Sequence, residues 1–462
     1  MHAARPLHFL ITLLLAGMFA LPACAPRTGT TTLPAEVPDA FSQTGEMELP
    51  GKWWTALGDT VLNRVMDTAL TENFNLVVGW ERLQAARAVV DRESAALWPD
   101  LRANMQAGAS FPQPDFVGGE NVRLNLQSQY EVDLWGRIHA LVDAERFRRE
   151  ATLADYQAGA MTLSAEVART WFQLAEARGQ QAILQAQVET NEQILRLIRQ
   201  RLGIGQVRGV DVLRQEQLLS ATQEQLAYVR ADLQTLRNRL SVLLGQAPGT
   251  PLPALPDTIF DPPNLPETGL PLELVRRRPD LQRAFLQVKA ADRELAAAIS
   301  NQYPRLSLSA STSLRSNNLR DVFENWAYSL GANLAAPLLN AGRLRAEVDR
   351  SRAVRDQRLY EYGQATLLAF REVEDALARE FHQKQAIGSI EDQIRLAEQS
   401  YEQLRLQYFN GTSTYLDVLT ALDQLQQLQR NLLSARYLLL EFRISLYRAL
   451  AGPIDTPKAS TQ

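Results

Sequence analysis

The amino-acid sequence predicts a mixed α and β membrane protein that is built from an internal duplication. Three observations support this prediction: two long proline-free stretches, four strand-like stretches of alternating polarity, and an apolar N-terminus. Because helical and strand periodicities follow one another in each copy, we expect a helical part and a sheet part from both halves of the chain.

The duplication is visible as three anchors that recur with a single offset. Each anchor is found again 206 residues later: Gly136 as Gly342, Gly205 as Gly411, and Asp211 as Asp417. A shared register over a fixed period is the sequence signature of a structural repeat. The two copies are therefore expected to have the same order of elements.

The longest stretch of each copy predicts two antiparallel helices joined by a tight tip. Good helix formers dominate it, and apolar residues recur at helical spacing between Ile183 and Leu202. About 65 residues at 1.5 Å each give a rod of roughly 100 Å. The tips fall at Gly205 and Gly411. Such a rod must pack along other long helices, and a cytosolic coiled-coil rod is the alternative for this stretch alone.

Four stretches alternate apolar and polar side chains, namely residues 101–110, 121–134, 306–314 and 327–336. Each is about ten residues long, which is the length that crosses a bilayer at the tilt of a barrel strand. Strands of a soluble sandwich also alternate, but four strands of spanning length in two hairpins favour a membrane. Four strands leave unpaired backbone groups at two sheet edges, so the chain is expected to share strands with other copies of itself.

Residues 1–23 predict an export signal, because Arg5 precedes an apolar run that is too short for a permanent membrane span. The run ends in Leu-Pro-Ala-Cys, which resembles the lipobox of bacterial lipoproteins. Cys24 would become the first mature residue and carry acyl chains such as palmitate. Ala25 stands where an aspartate would retain a lipoprotein in the inner membrane, which favours the outer membrane. An ordinary signal peptide with an incidental cysteine is the alternative.

Changes of pattern divide the chain into six segments. They are a signal peptide (1–23), a lipidated N-terminal tether (24–58), a first repeat (59–245), a proline-rich linker (246–271), a second repeat (272–452) and a C-terminal tail (453–462). Within the repeats, strands are expected at about 100–134 and 304–338, and helical hairpins at 136–245 and 342–452. Trp53 and Trp54 end the tether and are expected to pack against the helices.

Composition excludes several classes of function. The chain has 48 basic and 52 acidic residues, so its net charge of −4 indicates no nucleic-acid partner. Its single cysteine, Cys24, cannot form an intrachain disulfide. His139 and His382 lie outside any ligand-spaced motif, so no metal or other cofactor is expected. No nucleophile–base pair, phosphate loop or carboxylate dyad stands out, and an enzyme is the least favoured class.

Taken together, these features resemble the outer-membrane factor family of the TolC type. The resemblance is to its lipoprotein branch, found in tripartite multidrug pumps and in nodulation-type exporters. It rests on Trp-Pro-Asp-Leu at 98–101, Asp-Leu-Trp-Gly-Arg at 133–137, Arg-Arg-Pro-Asp-Leu at 277–281, the two glycine tips and the lipobox. These motifs extend over nearly the whole mature chain.

The resemblance implies a homotrimer with a twelve-stranded transmembrane β-barrel, to which each chain gives four strands. A long periplasmic barrel of α-helices would continue below it. Members of this family are passive ducts through the outer membrane. They receive substrate from an inner-membrane pump, here expected to be of the resistance–nodulation–division type, through a periplasmic adaptor protein.

The resemblance also assigns residues to the periplasmic aperture of the duct. Asp417 matches an acidic residue of the family's entrance, and Asp211 is its counterpart at the other tip. Rings of aspartate around a pore favour cations and can narrow it. Tyr408 resembles a residue that bonds to a neighbouring hairpin, with Asp211 as the candidate partner. The alternative for Asp417 is a capping box with Thr414 and a purely structural role.

A periplasmic coiled-coil adaptor or a structural lipoprotein is the alternative function. An adaptor would normally carry one helical hairpin and compact β domains. This chain instead has two hairpins and four strands of spanning length. The exported substrate is left open between drugs, peptides and metal ions, since neither His nor Met is clustered.

Overall fold

The computed structural model describes residue 34 and residues 36–109, 120–252, 259–316 and 326–454. The elements in chain order are α1 (Thr60–Glu72), α2 (Phe74–Ser94), β1 (Asp100–Ala109), β2 (Glu120–Val132), α3 (Arg137–Gly203), α4 (Gly209–Leu243), α5 (Pro271–Arg277), α6 (Pro279–Ser300), β3 (Arg305–Ser316), β4 (Trp326–Ala335), α7 (Arg343–Phe409) and α8 (Tyr415–Leu450). Two shorter helices, two strands and two longer helices thus follow one another twice. The lipidation candidate Cys24 lies outside the described residues.

Each repeat opens with two consecutive helices. The break in the first repeat is at Asn73, whose Oδ1 accepts hydrogen bonds from the amides of Asn75 at 3.0 Å and Leu76 at 3.2 Å. The break in the second repeat is at Arg278, which has an extended backbone because Pro279 follows it. Asparagine is a preferred helix N-cap, and a residue before proline is disfavoured in a helix. Both breaks therefore have a local cause.

The four strands form a single antiparallel sheet in the order β1-β2-β3-β4. β2 pairs with β3 from Val122 opposite Ser316 to Val132 opposite Leu306, which joins the two repeats. The large apolar residues of the edge strands are exposed in the single chain: Leu101, Met105, Trp326, Tyr328, Leu330 and Leu334. An exposed apolar sheet face is what the alternation predicts for strands that face lipid.

The long helices have the lengths that their composition predicts. α3 and α7 each contain 67 residues, and α4 and α8 contain 35 and 36. Gly205 and Gly411 have φ values of 75° and 76°, a left-handed backbone that glycine adopts without strain. They end α3 and α7 and reverse the chain. Within the described ranges, no helix combines the length and the apolar character that crossing a membrane requires.

The chain forms two compact units, and each unit draws on both repeats. The strand unit comprises the described parts of 1–35, 82–153 and 283–364, and the helical unit those of 36–81, 154–282 and 365–462. The strand unit contains the sheet, and the helical unit contains the tips. The boundary between the repeats therefore does not separate the two units.

The end of the N-terminal tether is packed into the helical unit. Trp53 and Trp54 are fully buried, and the Trp53 Nε1 donates a hydrogen bond to Ser164 Oγ at 3.1 Å. Upstream, Ser42 Oγ donates to Glu374 Oε2 at 2.5 Å, and Met47 forms a parallel β-bridge with Pro266. The composition predicted only an extended tether up to these tryptophans. Ser42 and Met47, which contact α7 and the linker, hold the tether in place already before the two tryptophans.

A buried ion pair holds the linker against the helices of the helical unit. Arg443 on α8 is fully buried, and its Nε and NH2 donate to Glu380 on α7 at 2.8 and 2.5 Å. Its NH1 donates to the linker carbonyls of Pro263 and, at 2.9 Å, Asn264. Lys384 also lies 2.9 Å from the Glu380 carboxylate. Every polar atom of the guanidinium is thereby directed at an acceptor.

The Glu380 carboxyl group is held ionised by these partners. Burial alone would raise its pKa, but hydrogen bonds and positive charge from Arg443 and Lys384 outweigh burial and lower it. A pKa that is lower in the folded protein adds stability above the pKa of the unfolded carboxyl, about 4.3. That stability is lost as the pH falls through the folded pKa.

Glu380→Ala should lower the free energy of unfolding by about 3 kcal/mol, because it leaves the buried Arg443 guanidinium without its counter-ion. The variant should also lose the acid sensitivity that Glu380 contributes. Thermal unfolding in detergent, followed by circular dichroism between pH 7 and pH 3, measures both effects. Asp392→Ala, which removes the exposed pair with Arg395, is the control and should change stability little. Equal effects of the two substitutions would contradict this role of the buried pair.

Candidate functional site

The tips of the two hairpins meet in the helical unit around a small apolar cluster. Leu195 and Ile198 of α3 pack with Val212 of α4 and Tyr415 of α8. Tyr408 is among the half-buried residues packed against them. The sequence places these residues four to ten positions from the glycine tips, so both hairpins close on the same cluster. Of the predicted aperture residues, Tyr408 therefore contacts this cluster directly.

Asp417 lies at the third position of α8, and its side chain is exposed. Its Oδ2 accepts hydrogen bonds from the Thr414 hydroxyl at 2.6 Å, the Thr414 amide at 3.0 Å and the Ser413 hydroxyl at 3.0 Å. Together with the bond from the Asp417 amide to Thr414 Oγ1, this is the capping box that the sequence predicted as the alternative role. These hydrogen bonds lower the pKa of Asp417. The tip therefore carries an exposed negative charge.

Asp211 lies at the equivalent position of α4 but is only 4% exposed. The Arg208 guanidinium donates to both of its carboxylate oxygens, at 3.3 and 3.4 Å, and the Arg208 amide donates at 3.3 Å. Arg214 lies 3.8 Å from Oδ1. The two aspartates that the repeat makes equivalent thus differ in exposure and in partner, since Arg208 replaces Thr414 as the N-cap residue.

Tyr408 lies near the end of α7, where its ring contacts Tyr415 with 5.6 Å between centroids. The Arg201 guanidinium lies 5.9 Å from the centroid of the same ring and 4.6 Å from that of Phe409. Within the described part of one chain, the Tyr408 hydroxyl and the Asp211 carboxylate form no hydrogen bond to each other. The contact between them stays a prediction for the assembled protein.

Tyr415 forms the link between the hairpins that the sequence reasoning missed. Its hydroxyl donates to Gln215 Oε1 at 2.5 Å, and Gln215 Nε2 donates to the Asn191 carbonyl at 3.0 Å. Burial raises the pKa of Tyr415, so its hydroxyl keeps its proton. Gln215 and Asn191 are fully buried. One chain of hydrogen bonds therefore runs from α8 through α4 to α3.

Further polar contacts continue this link as a seam between α3 and α8. Asn191 Nδ2 bonds to Thr222 Oγ1 at 3.1 Å and to Gln426 Oε1 at 3.4 Å. Gln187 Nε2 bonds to the Gln426 carbonyl at 3.1 Å, and Arg430 NH1 donates to Gln187 Oε1 at 2.5 Å. These residues recur at helical spacing among apolar neighbours. That signal was present in the sequence, but a polar face of a long helix is also expected where it contacts water.

The geometry gives the tips an exposed charge and exposed apolar side chains. Among the described residues, no group of three or more His, Cys, Asp or Glu side chains is placed to hold a metal ion. Ile204 is 70% exposed and Leu213 is 65% exposed beside the first tip. Exposed apolar residues at the end of a rod mark a contact surface more often than a chemical site.

Comparison with known proteins agrees with this fold and this site. The family model of the outer membrane efflux protein matches residues 65–246 and 270–452, once for each repeat. The pyoverdine export outer membrane protein OpmQ of Pseudomonas aeruginosa is 31% identical over 422 residues, which cover 87% of each chain. Nodulation protein T of Rhizobium leguminosarum bv. trifolii is 25% identical over 402 residues, covering 83% of this chain and 84% of that protein.

A solved structure of CusC, described for folding and transmembrane channel formation, has a TM-score of 0.83. It is 25% identical in sequence and is matched over 93% of this chain and 99% of its own. The predicted fold class, with four strands and long helices from a duplicated chain, is confirmed. The chain belongs to the outer membrane efflux protein family and is an outer-membrane channel component of a tripartite efflux system.

Proposed function

We propose that the protein works as a homotrimeric, passive duct that is anchored to outer-membrane lipid through Cys24. The duct receives its substrate from a periplasmic adaptor and an inner-membrane pump of the resistance–nodulation–division type. No bond in the substrate is made or broken in this proposal. The pump, and not the duct, selects the substrate.

One observation carries the proposal: the sheet has two open edges, β1 and β4, and an exposed apolar face. In lipid, every backbone donor and acceptor needs a partner, because water is absent. Three sheets of four strands joined edge to edge would close into a ring without edges. The exposed Ile204 and Leu213 support a contact between the hairpin tips and an adaptor.

The mass of the detergent-extracted protein tests the assembly. We expect three protomers per micelle, because two would give only the eight strands of the smallest membrane barrels, whose interior is filled by side chains and leaves no duct. Light scattering coupled to size exclusion measures this mass, and far-ultraviolet circular dichroism reports the strand content. A stable monomer that keeps its native strand content would contradict the proposal.

Cys24 acylation is proposed from the sequence, and Cys24→Ala tests it. Acyl chains contribute about 0.8 kcal/mol per buried CH₂, and a single chain attaches a protein only marginally. The sheet also inserts, so the variant should mature and reach the outer membrane less efficiently and still need detergent for extraction. Mass spectrometry of the N-terminal peptide measures the modification. An unmodified Cys24 in the mature protein would rule out the anchor.

Asp417 is proposed to form a ring of negative charge at the periplasmic aperture. The support is its exposure, its lowered pKa and its position at a tip. Three charges around a three-fold axis would attract and bind multivalent cations at the mouth. The capping role does not compete with this charge, since the hydrogen bonds of the cap themselves keep the carboxylate ionised.

Asp417→Asn removes the charge and keeps an oxygen that can accept the bonds of the cap. In planar bilayers, we expect a trivalent cation to block the current with about tenfold lower affinity. This corresponds to the loss of about 1.4 kcal/mol of binding free energy. Thr414→Ala is the matched control, because it removes the cap and keeps the charge. It should lower stability by about 1 kcal/mol and leave the block unchanged. If Asp417→Asn instead lowered the stability and left the block unchanged, Asp417 would be assigned to capping alone.

Tyr408 and Asp211 are proposed as two sides of a contact between hairpins in the assembled duct. Asp211 would have to exchange its bonds to Arg208 for one to Tyr408, because it is buried in the single chain. The same bilayer recordings apply: Tyr408→Phe should raise the conductance if the hydroxyl holds the aperture closed. An unchanged conductance would leave the tyrosine with its packing role beside Tyr415.

A further inference from the structure

The two hairpin tips share one backbone turn. At the second tip, the Gly411 amide donates to the Tyr408 carbonyl at 3.1 Å. The Thr412 amide donates to the Gln407 carbonyl at 2.9 Å. This pair of bonds is the Schellman motif, which ends a helix at a left-handed glycine. The same two bonds close the first tip around Gly205. The tips therefore have equivalent backbones and can be compared residue by residue.

The tips differ in the residue that precedes the glycine. It is Ile204 at the first tip and Asn410 at the second, two positions that the repeat offset makes equivalent. Asparagine is a thermolabile residue, and it is most reactive before glycine, because the glycine nitrogen can attack the asparagine side chain unhindered. Asn410 is the only asparagine in the sequence that glycine follows. The second tip alone thus carries a labile pair.

The surroundings of Asn410 leave the pair open to reaction. Asn410 is exposed, and no described residue bonds to its carboxamide, so water reaches it and its side chain can turn. A Cβ built on Gly411 would meet no atom within 4 Å, so no neighbouring group crowds the glycine. The pair directly follows Phe409, the last residue of α7. Hydrogen bonds at a helix end open more readily than those of its interior, which frees the Gly411 nitrogen.

We propose that Asn410 is a site of spontaneous deamidation, by which the second tip gains a negative charge. The Gly411 nitrogen loses its proton, bonds to Asn410 Cγ and displaces the side-chain nitrogen, which leaves as ammonia. The product is a cyclic imide. Water then adds to either carbonyl of the ring and opens it to aspartate or isoaspartate. Water is the only co-reactant, and nothing is oxidised or reduced.

The reaction adds charge to a tip that already presents one exposed carboxylate, that of Asp417. The first tip cannot change in this way, because Ile204 has no amide side chain. Isoaspartate also lengthens the main chain by one atom inside the Schellman motif and so shifts the turn around Gly411. The modification itself is independent of the proposed duct. Its effect on conduction rests on the proposed aperture, where acidic groups attract cations.

Peptide mass spectrometry of the full chain tests the modification. The purified protein is incubated in detergent at neutral pH, and the peptide that contains Asn410 is followed over time. We expect aspartate and isoaspartate to accumulate at this position while Asn431 stays intact. Asn431 is the matched control, because it is exposed but lies inside α8, precedes a leucine and accepts a hydrogen bond from Gln427 at 2.8 Å. Conversion of Asn410 in urea alone, or in neither state, would overturn the proposal and leave the duct standing.

Recordings in planar bilayers test the effect of the added charge. Asn410→Asp fixes the product, and Asn410→Gln keeps a carboxamide that closes the corresponding larger ring far more slowly. A trivalent cation should block Asn410→Asp with about tenfold higher affinity than freshly purified wild type. After incubation, wild type should shift towards Asn410→Asp, and Asn410→Gln should not shift. If Asn410→Asp is blocked like fresh wild type while Asp417→Asn weakens the block, the proposed effect of the charge is overturned. If neither substitution alters the block, the charged aperture of the proposed function fails as well.

Discussion

Backbone groups at the edge of a β-sheet have no water to bond inside a lipid bilayer, and this constraint shapes the whole molecule. Each chain provides four strands in one sheet, with β1 and β4 open at the edges. Closure of the sheet requires further copies of the chain. Duplication supplies both hairpins of this sheet, and they are joined where β2 of the first repeat pairs with β3 of the second.

The helical unit solves a different problem, which is to hold two long hairpins together along their length. Apolar residues do this at the tips, around Tyr415, while a seam of buried amides and hydroxyls links α3 to α8 further along. Buried polar groups contribute little net stability when each finds a partner, but they penalise a shifted register. The fully buried pair of Arg443 with Glu380 then attaches the linker to the same helices.

The two tips show how a repeat can keep its geometry and lose its chemical symmetry. Asp211 and Asp417 both lie at the third position of a helix, and each carboxylate accepts a hydrogen bond from the amide of the N-cap residue. Only Thr414 completes a capping box by accepting one in return, because a guanidinium cannot accept a hydrogen bond. Replacement of Thr414 by Arg208 as the N-cap residue covers the first aspartate with a guanidinium and leaves the second exposed. Only Asp417 therefore presents an unscreened charge at the end of its hairpin. An aperture built from this chain would carry its charge on the second repeat.

The sequence by itself determined the duplication, the strands, the long helices and the glycine tips, because each depends on local periodicity and backbone preference. It also specified the capping box, since Thr414 and Asp417 are three residues apart. Only the tertiary structure decided which polar residues are buried. Gln215 meets Tyr415 because two hairpins 200 residues apart in the chain pack together, and spacing along one helix cannot distinguish such a seam from a face in water. The cover of Asp211 is partly local, since Arg208 is three residues away, whereas the meeting of Val212 with Tyr415 beside it was decided by the packing of the two hairpins.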